Sequence, residues 1–235
     1  MTVLFPEVIE TDRLRLEALH VDETHADDLF DLYEICSSDP GIEDVTEYVT
    51  WDPHRTPKET LEFLEYVSEK WDDSSGGSYA VYLRDGEDGA GEFAGDAGFS
   101  VDWEKRTMTL GVWFRKRFWG RGYSGERAAA FMELAFKRLD LELVAVTALV
   151  DNEKSNRAIE RYTEAHGGGR DGLLRNWRVE NGEPIDLYRY SVSQEEYREC
   201  EDRPDVGVSF SDEARGRLDA GVREERTDED ADRGR

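Results

Sequence analysis

The sequence predicts a single α/β (α+β) domain: a mixed central sheet with helices on both faces. Three patterns predict it. Segments in which apolar residues alternate with period two are interleaved with segments of period 3.6 over about 190 residues. LVAVTALV, residues 143–150, is apolar throughout, as a central strand covered on both faces requires. Asn181-Gly182 separates two strand-like runs and reads as a hairpin turn.

Each element follows from its own pattern. TDRLRLEAL sets Leu14, Leu16 and Ala18 against Arg13, Arg15 and Glu17, a half-buried strand. Leu29, Leu32, Tyr33 and Ile35 fit a helix over 22–35. Thr56-Pro57-Lys58-Glu59 combines a capping box with Pro at the first helical position, opening a second helix with Leu61, Phe63, Leu64 and Val67 as its apolar members. SYAVYL and EFAGDAGFSV read as strands joined by a Gly/Asp loop over 85–91, and 106–114 as a further strand. Helices are expected over 126–139 and 154–165, and the hairpin strands over 173–179 and 185–191. Residues 1–198 are expected to form the domain. Residues 199–235 are charge-rich and poor in aromatics, and are expected to be a disordered acidic tail.

The chain has 235 residues, 55 acidic and 30 basic, for a net charge of −25. Its 11% aromatic content argues for a real core despite that charge. No run of 18 apolar residues exists, and MTVLFPEVIE lacks a signal-peptide pattern, so a cytoplasmic protein is expected. Cys36 and Cys200 give no disulfide framework, and the four scattered His give no metal pair, so no metal is expected. An acidic surface repels nucleic acid and anionic lipid, so neither is an expected partner. Only 6 of the 30 basic residues are Lys. Acid-rich, Lys-poor chains are what a high-salt cytoplasm selects, so the composition is read as halophilic. Residues 1–100 hold 26 acidic and 6 basic side chains, whereas 101–198 hold 16 and 17. The middle segment has kept its positive charge, which hints at an anionic ligand or at pairing with the acidic half.

The chemistry concentrates in Arg117-Phe118-Trp119-Gly120-Arg121-Gly122-Tyr123-Ser124, between a strand and a long helix. Backbone N–H groups at a helix start, with the helix dipole behind them, bind phosphate. Gly120 and Gly122 let the backbone approach a ligand, and Arg115, Lys116, Arg117 and Arg121 add positive charge. No GK[ST] follows and no third Gly completes a dinucleotide fingerprint.

GVWFRKRFWGRGYSGE resembles the acetyl-CoA-binding segment of the GNAT N-acyltransferase superfamily, whose R-x-x-G-x-G motif matches Arg117, Gly120 and Gly122. The Trp-Gly-Arg-Gly-Tyr run and Glu126 resemble the branch that acetylates N-terminal Ala or Ser of ribosomal proteins. So do TDRLRLEAL, WDPHRTPKET, the Asn152, Ser155 and Arg157 of DNEKSNRAIER, and the closing hairpin, over roughly residues 10–198.

The resemblance implies two splayed strands, 106–114 and 143–150, with the pantetheine arm of acetyl-CoA between them and its pyrophosphate on 117–122. It implies a coenzyme site of Val112, Trp113, Phe114, Arg117, Trp119, Gly120, Arg121, Gly122, Tyr123, Ser124 and Asn152, with a backbone N–H at 112–114 stabilising the tetrahedral oxyanion. Its partners would be acetyl-CoA and an amine acceptor, a protein N-terminus or a small molecule, and it is compatible with a homodimer. Many relatives use a Tyr seven residues after the Asn to protonate the departing thiolate. Ile159 stands there, so Ser155 is the expected general acid. Thr109 occupies the usual place of a catalytic Glu, leaving a bound water or an acid such as Glu92 as base. The alternative is a GNAT-fold protein that binds CoA without catalysis, or acts through its acidic tail.

Overall fold

The computed structural model describes residues 4–20, 26–180 and 182–213. In chain order the elements are β1 (Val8–Glu10), β2 (Leu14–Ala18), α1 (Ala26–Ser38), α2 (Ile42–Thr46), α3 (Pro57–Asp72), β3 (Gly76–Leu83), β4 (Phe93–Asp102), β5 (Thr107–Phe114), α4 (Tyr123–Glu133), β6 (Leu143–Leu149), α5 (Glu153–Glu164), β7 (Gly169–Glu180), β8 (Glu183–Ser193), α6 (Gln194–Glu199) and β9 (Ser209–Ser211). Among the described residues, one sheet of nine strands runs β7-β8-β6-β5-β4-β3-β2-β1-β9. Every pairing in it is antiparallel except β5–β6, so the sheet is mixed as the sequence predicts. Among the described residues no helix is long and apolar enough to cross a membrane.

The register of β5 decides what the fold can do. Its parallel ladder with β6 covers only Thr107–Leu110 against Leu143–Val146. Beyond it, β5 stays paired to β4 as far as Phe114 opposite Gly95, and β6 stays paired to β8 as far as Leu149 opposite Leu187. Each strand follows its outer neighbour, and sheet twist carries the two apart. The result is a wedge between β5 and β6, open at their C-terminal ends.

The core lies between the sheet and its helices. Phe131 of α4 is fully buried and meets Phe99 of β4 edge-on at 5.2 Å, with Tyr79 of β3 at 5.8 Å. On the opposite sheet face, Phe63 and Val67 of α3 stand over β4 and β5.

Three expectations need correction. The Thr56 capping box does not form: its hydroxyl donates to Glu59 at 3.3 Å and makes no cap, although Pro57 does begin the helix. The helix expected over 126–139 starts at Tyr123 and ends in a widened π-helical turn, Leu134–Arg138, where the Leu139 N–H reaches back to Leu134 at 3.0 Å. That turn keeps Leu134, Ala135 and Phe136 all buried. Order also continues past the boundary at 198/199: β9 pairs with β1, Phe210 opposite Ile9, because one aromatic in that segment has an apolar edge to dock on. Residues 214–235, the rest of the expected tail, lie outside the described residues, as do 22–25 of the helix expected over 22–35 and the hairpin residue Asn181. His166 lies in the turn that follows α5. It is buried and stacked on Tyr197, its Nδ1 2.7 Å from the Tyr162 carbonyl.

Candidate active site

Between β5 and α4 the chain makes a 3₁₀ turn, Lys116–Phe118, then passes through Gly120 and Gly122. Both glycines are left-handed, with φ of 77° and 85°. A Cβ on Gly120 would meet nothing within 4 Å, so the space beside it is open. Among the described residues, no protein acceptor takes the N–H groups of Gly120, Arg121, Gly122, Tyr123 or Ser124, and no side chain caps α4. A row of unsatisfied donors at a helix start can bind an anion.

Glu126 fixes this row. Its carboxylate is buried and accepts from the Thr11 hydroxyl at 2.6 Å, the Arg13 N–H at 2.8 Å and Arg13 Nε at 2.6 Å. Arg13 in turn donates through Nη1 to the Arg121 carbonyl at 3.0 Å and lies over the Tyr123 ring. The β1–β2 turn therefore holds the first turn of α4 and the glycine loop together.

The four cations are not the free positive patch that the sequence suggests. Arg115 pairs with Asp39, and Lys116 with Asp44 at 2.7 Å. Arg117 pairs with Glu92 at 2.7 Å, and Arg121 with Asp88 at 3.0 Å. In a chain this acidic every loop cation finds a counterion, which leaves the backbone N–H groups as the specific part of the site. Glu92 is correspondingly committed, accepting from both Arg117 Nη1 and Nη2, and it is not among the residues that line the cavity under α3 described below.

The wedge is lined by β5 backbone. The Arg115 N–H donates to Ala94 of β4, so by strand alternation the amides of Val112 and Phe114 point the other way, toward β6, where the ladder has ended. The Trp119 indole donates to the Phe114 carbonyl at 2.8 Å, and Lys154 sits over its ring at 5.1 Å, linking the loop to the start of α5. Asn152 caps α5, its Oδ1 accepting the Ser155 N–H at 3.0 Å, so its side chain serves the helix start. Asn156 donates to the carbonyls of Leu149 and Asn152, satisfying the end of β6. The Ser155 hydroxyl is half-buried and has no protein partner among the described residues. Deeper between α4 and α5, Arg127 and the Tyr162 hydroxyl are buried against each other. Burial raises the Tyr162 pKa, opposed by Arg127.

On the opposite face lies a cavity of about 470 Å³, lined by Thr50, Phe63, Tyr66 and Lys70 and, from the sheet, Ser78, Asp96, Gly98, Ser100, Thr109 and Gly111. Trp51 packs edge-on against Trp113 at 5.4 Å and beside His54, so this Trp anchors the loop before α3 to β5. Thr109 stands opposite Ser100 in the cavity wall. The carboxylate here is Asp96, 8% exposed, accepting from the Ser78 hydroxyl at 2.7 Å. Burial lifts its pKa to about 7, with Ser78 and Arg127 pulling the other way. Among 55 acidic residues one Asp gives little signal; the available clue was a single charge inside the strand EFAGDAGFSV after its first residue.

The GNAT acetyltransferase domain model matches residues 13–162. YoaA of Bacillus subtilis, an uncharacterised N-acetyltransferase, is 25% identical over 190 residues, 80% of this chain and 97% of its own. YkkB of Bacillus subtilis is 30% identical over 181 residues, 76% and 92%. Among solved structures, RimL, a ribosomal L7/L12 α-N-protein acetyltransferase in complex with coenzyme A, superposes with a TM-score of 0.64 at 20% identity, covering 80% of this chain and 98% of that one.

Proposed function

The chain belongs to the GNAT acetyltransferase family, and from that premise we propose that it moves an acetyl group from acetyl-CoA to a primary amine, either a protein N-terminus such as a ribosomal protein's or a small amine. The observation that carries this reading is the pairing of two features: free N–H groups at Gly120–Ser124 and a β5 edge left bare where β6 diverges. The residues fit the coenzyme. Five unsatisfied amides suit a diphosphate, and the open space at Gly120 is room that a side chain would fill. The bare edge at Val112 and Phe114 suits the amides of a pantetheine arm, as another strand would.

Bound acetyl-CoA supplies the thioester carbon that is attacked and the thiolate that leaves. The N–H groups of 120–124 and the α4 dipole hold the diphosphate. An N–H of the Val112–Phe114 edge stabilises charge developing on the thioester oxygen, an effect worth roughly 3–4 kcal/mol where one such donor has been removed elsewhere. Ser155, in the first turn of α5, donates a proton to sulfur, and the helix N-terminus favours the thiolate. The Asn152 cap holds Ser155 in place. The acidic, Lys-poor composition suits high salt, so the activity belongs in molar potassium chloride.

Free-thiol release from acetyl-CoA, followed with peptides beginning in Ser or Ala and with small primary amines, tests the reading. Amine-dependent release is expected with at least one class. Tight CoA binding with no release from any amine would instead make the chain a non-catalytic CoA binder.

A further inference from the structure

We infer that the cavity over β4 and β5 is the acceptor pocket and that Asp96 within it takes the proton from the incoming amine; this rests on the transferase reading above. Asp96 lines the cavity together with the hydroxyls of Ser78, Ser100 and Thr109 and the rings of Phe63 and Tyr66. Its floor is bare. Gly98 and Gly111 are direct partners on β4 and β5, so between the Asp96–Trp113 pair and the Ser100–Thr109 pair only backbone faces the cavity. Asp96 thus stands on one side of the β5 stretch whose other edge, at Val112 and Phe114, opens into the wedge. One strand spacing, about 5 Å, separates β4 from β5. An amine entering over the glycine floor meets the carboxylate on its way to the thioester.

The groups around Asp96 leave it the available base. Lys70 of α3 places its ammonium over the Tyr66 ring at 5.2 Å. Cys36 of α1 is held neutral, its thiol pushed up to about 12 chiefly by burial. Asp39, beyond α1, is taken by Arg115, and Glu92 by Arg117. Arg127 of α4 lies behind the sheet and acts on Asp96 only as a distant charge. A carboxylate lifted to about 7 is a stronger base than an ordinary one and is still ionised in part at neutral pH. In the step itself, the amine nitrogen bonds to the acetyl carbon and the carbon–sulfur bond breaks with its electron pair on sulfur. One proton passes from nitrogen to an Asp96 oxygen.

The test measures kcat/KM against pH for the wild type, Asp96→Asn and Ser78→Ala, using the amine that the wild type acetylates fastest, with CoA affinity measured in parallel. The wild type should show a limb rising through about pH 7. Asp96→Asn should lose about 100-fold in kcat/KM and flatten that limb, with CoA affinity within about twofold. Ser78→Ala should move the limb to higher pH, because the carboxylate loses a donor that favours its ionised form. An Asp96→Asn enzyme that keeps the wild-type rate and limb would overturn the inference and leave the transferase reading standing. So would a variant whose CoA affinity falls as far as its turnover, since Asp96 would then be structural. A wild type that releases thiol with no amine at all overturns both.

Discussion

Gly120→Val is expected to weaken coenzyme A binding by about 100-fold or more while the protein still folds. Gly120 has φ of 77°, and a Cβ there would meet no protein atom within 4 Å. The folded protein therefore bears only the left-handed backbone penalty, about 1–2 kcal/mol, somewhat more for a β-branched residue. In a chain of this size that lowers Tm by roughly 2–4 °C per kcal/mol. The ligand bears the rest, because the new side chain fills the space through which a diphosphate reaches the amides of 120–124. Gly120→Ala should fall between the two. Calorimetric titration with CoA, beside thermal melts, separates the effects. Wild-type affinity in the Val variant would place the coenzyme elsewhere.

Glu126→Ala should produce the largest loss of stability near the site. It removes the shared acceptor of the Thr11 hydroxyl, the Arg13 N–H and Arg13 Nε, and Glu126 itself is 6% exposed. Breaking a fully buried ion pair costs about 3–5 kcal/mol. The Arg13 side chain is 36% exposed, so part of that is screened, and a loss of about 2–3 kcal/mol is expected. CoA affinity should fall with it, because Arg13 also holds the Arg121 carbonyl and covers Tyr123. Glu126→Gln keeps an acceptor and should lie between. Urea unfolding and CoA titration of the same samples check both effects. Lost stability with unchanged affinity would show that the loop holds its shape without this anchor.

The glycine loop was legible because two left-handed glycines between a strand and a helix have few other uses. The splayed strands were legible only by family resemblance: nothing in residues 106–114 or 143–150 says where pairing stops, since that depends on which outer neighbour each strand follows. The cations misled. Sequence shows Arg115, Lys116, Arg117 and Arg121 side by side but not Asp39, Asp44, Glu92 and Asp88 folded against them. Short elements such as β1, α2 and β9 carry too few residues to show a period. The Thr56–Glu59 spacing promised a capping box, but its hydroxyl donates to the carboxylate instead of accepting a backbone N–H. Asp96 was invisible for a different reason. Its meaning comes from burial and from the two bare glycines beside it, both products of register.

Amide hydrogen exchange across residues 118–124, with and without CoA, shows whether the diphosphate sits on this loop. Those amides of Gly120–Ser124 have no protein acceptor, so they should exchange fast alone and slow markedly when a diphosphate accepts from them. CoA that binds without slowing them, while protecting another segment, would mean that the diphosphate lies elsewhere.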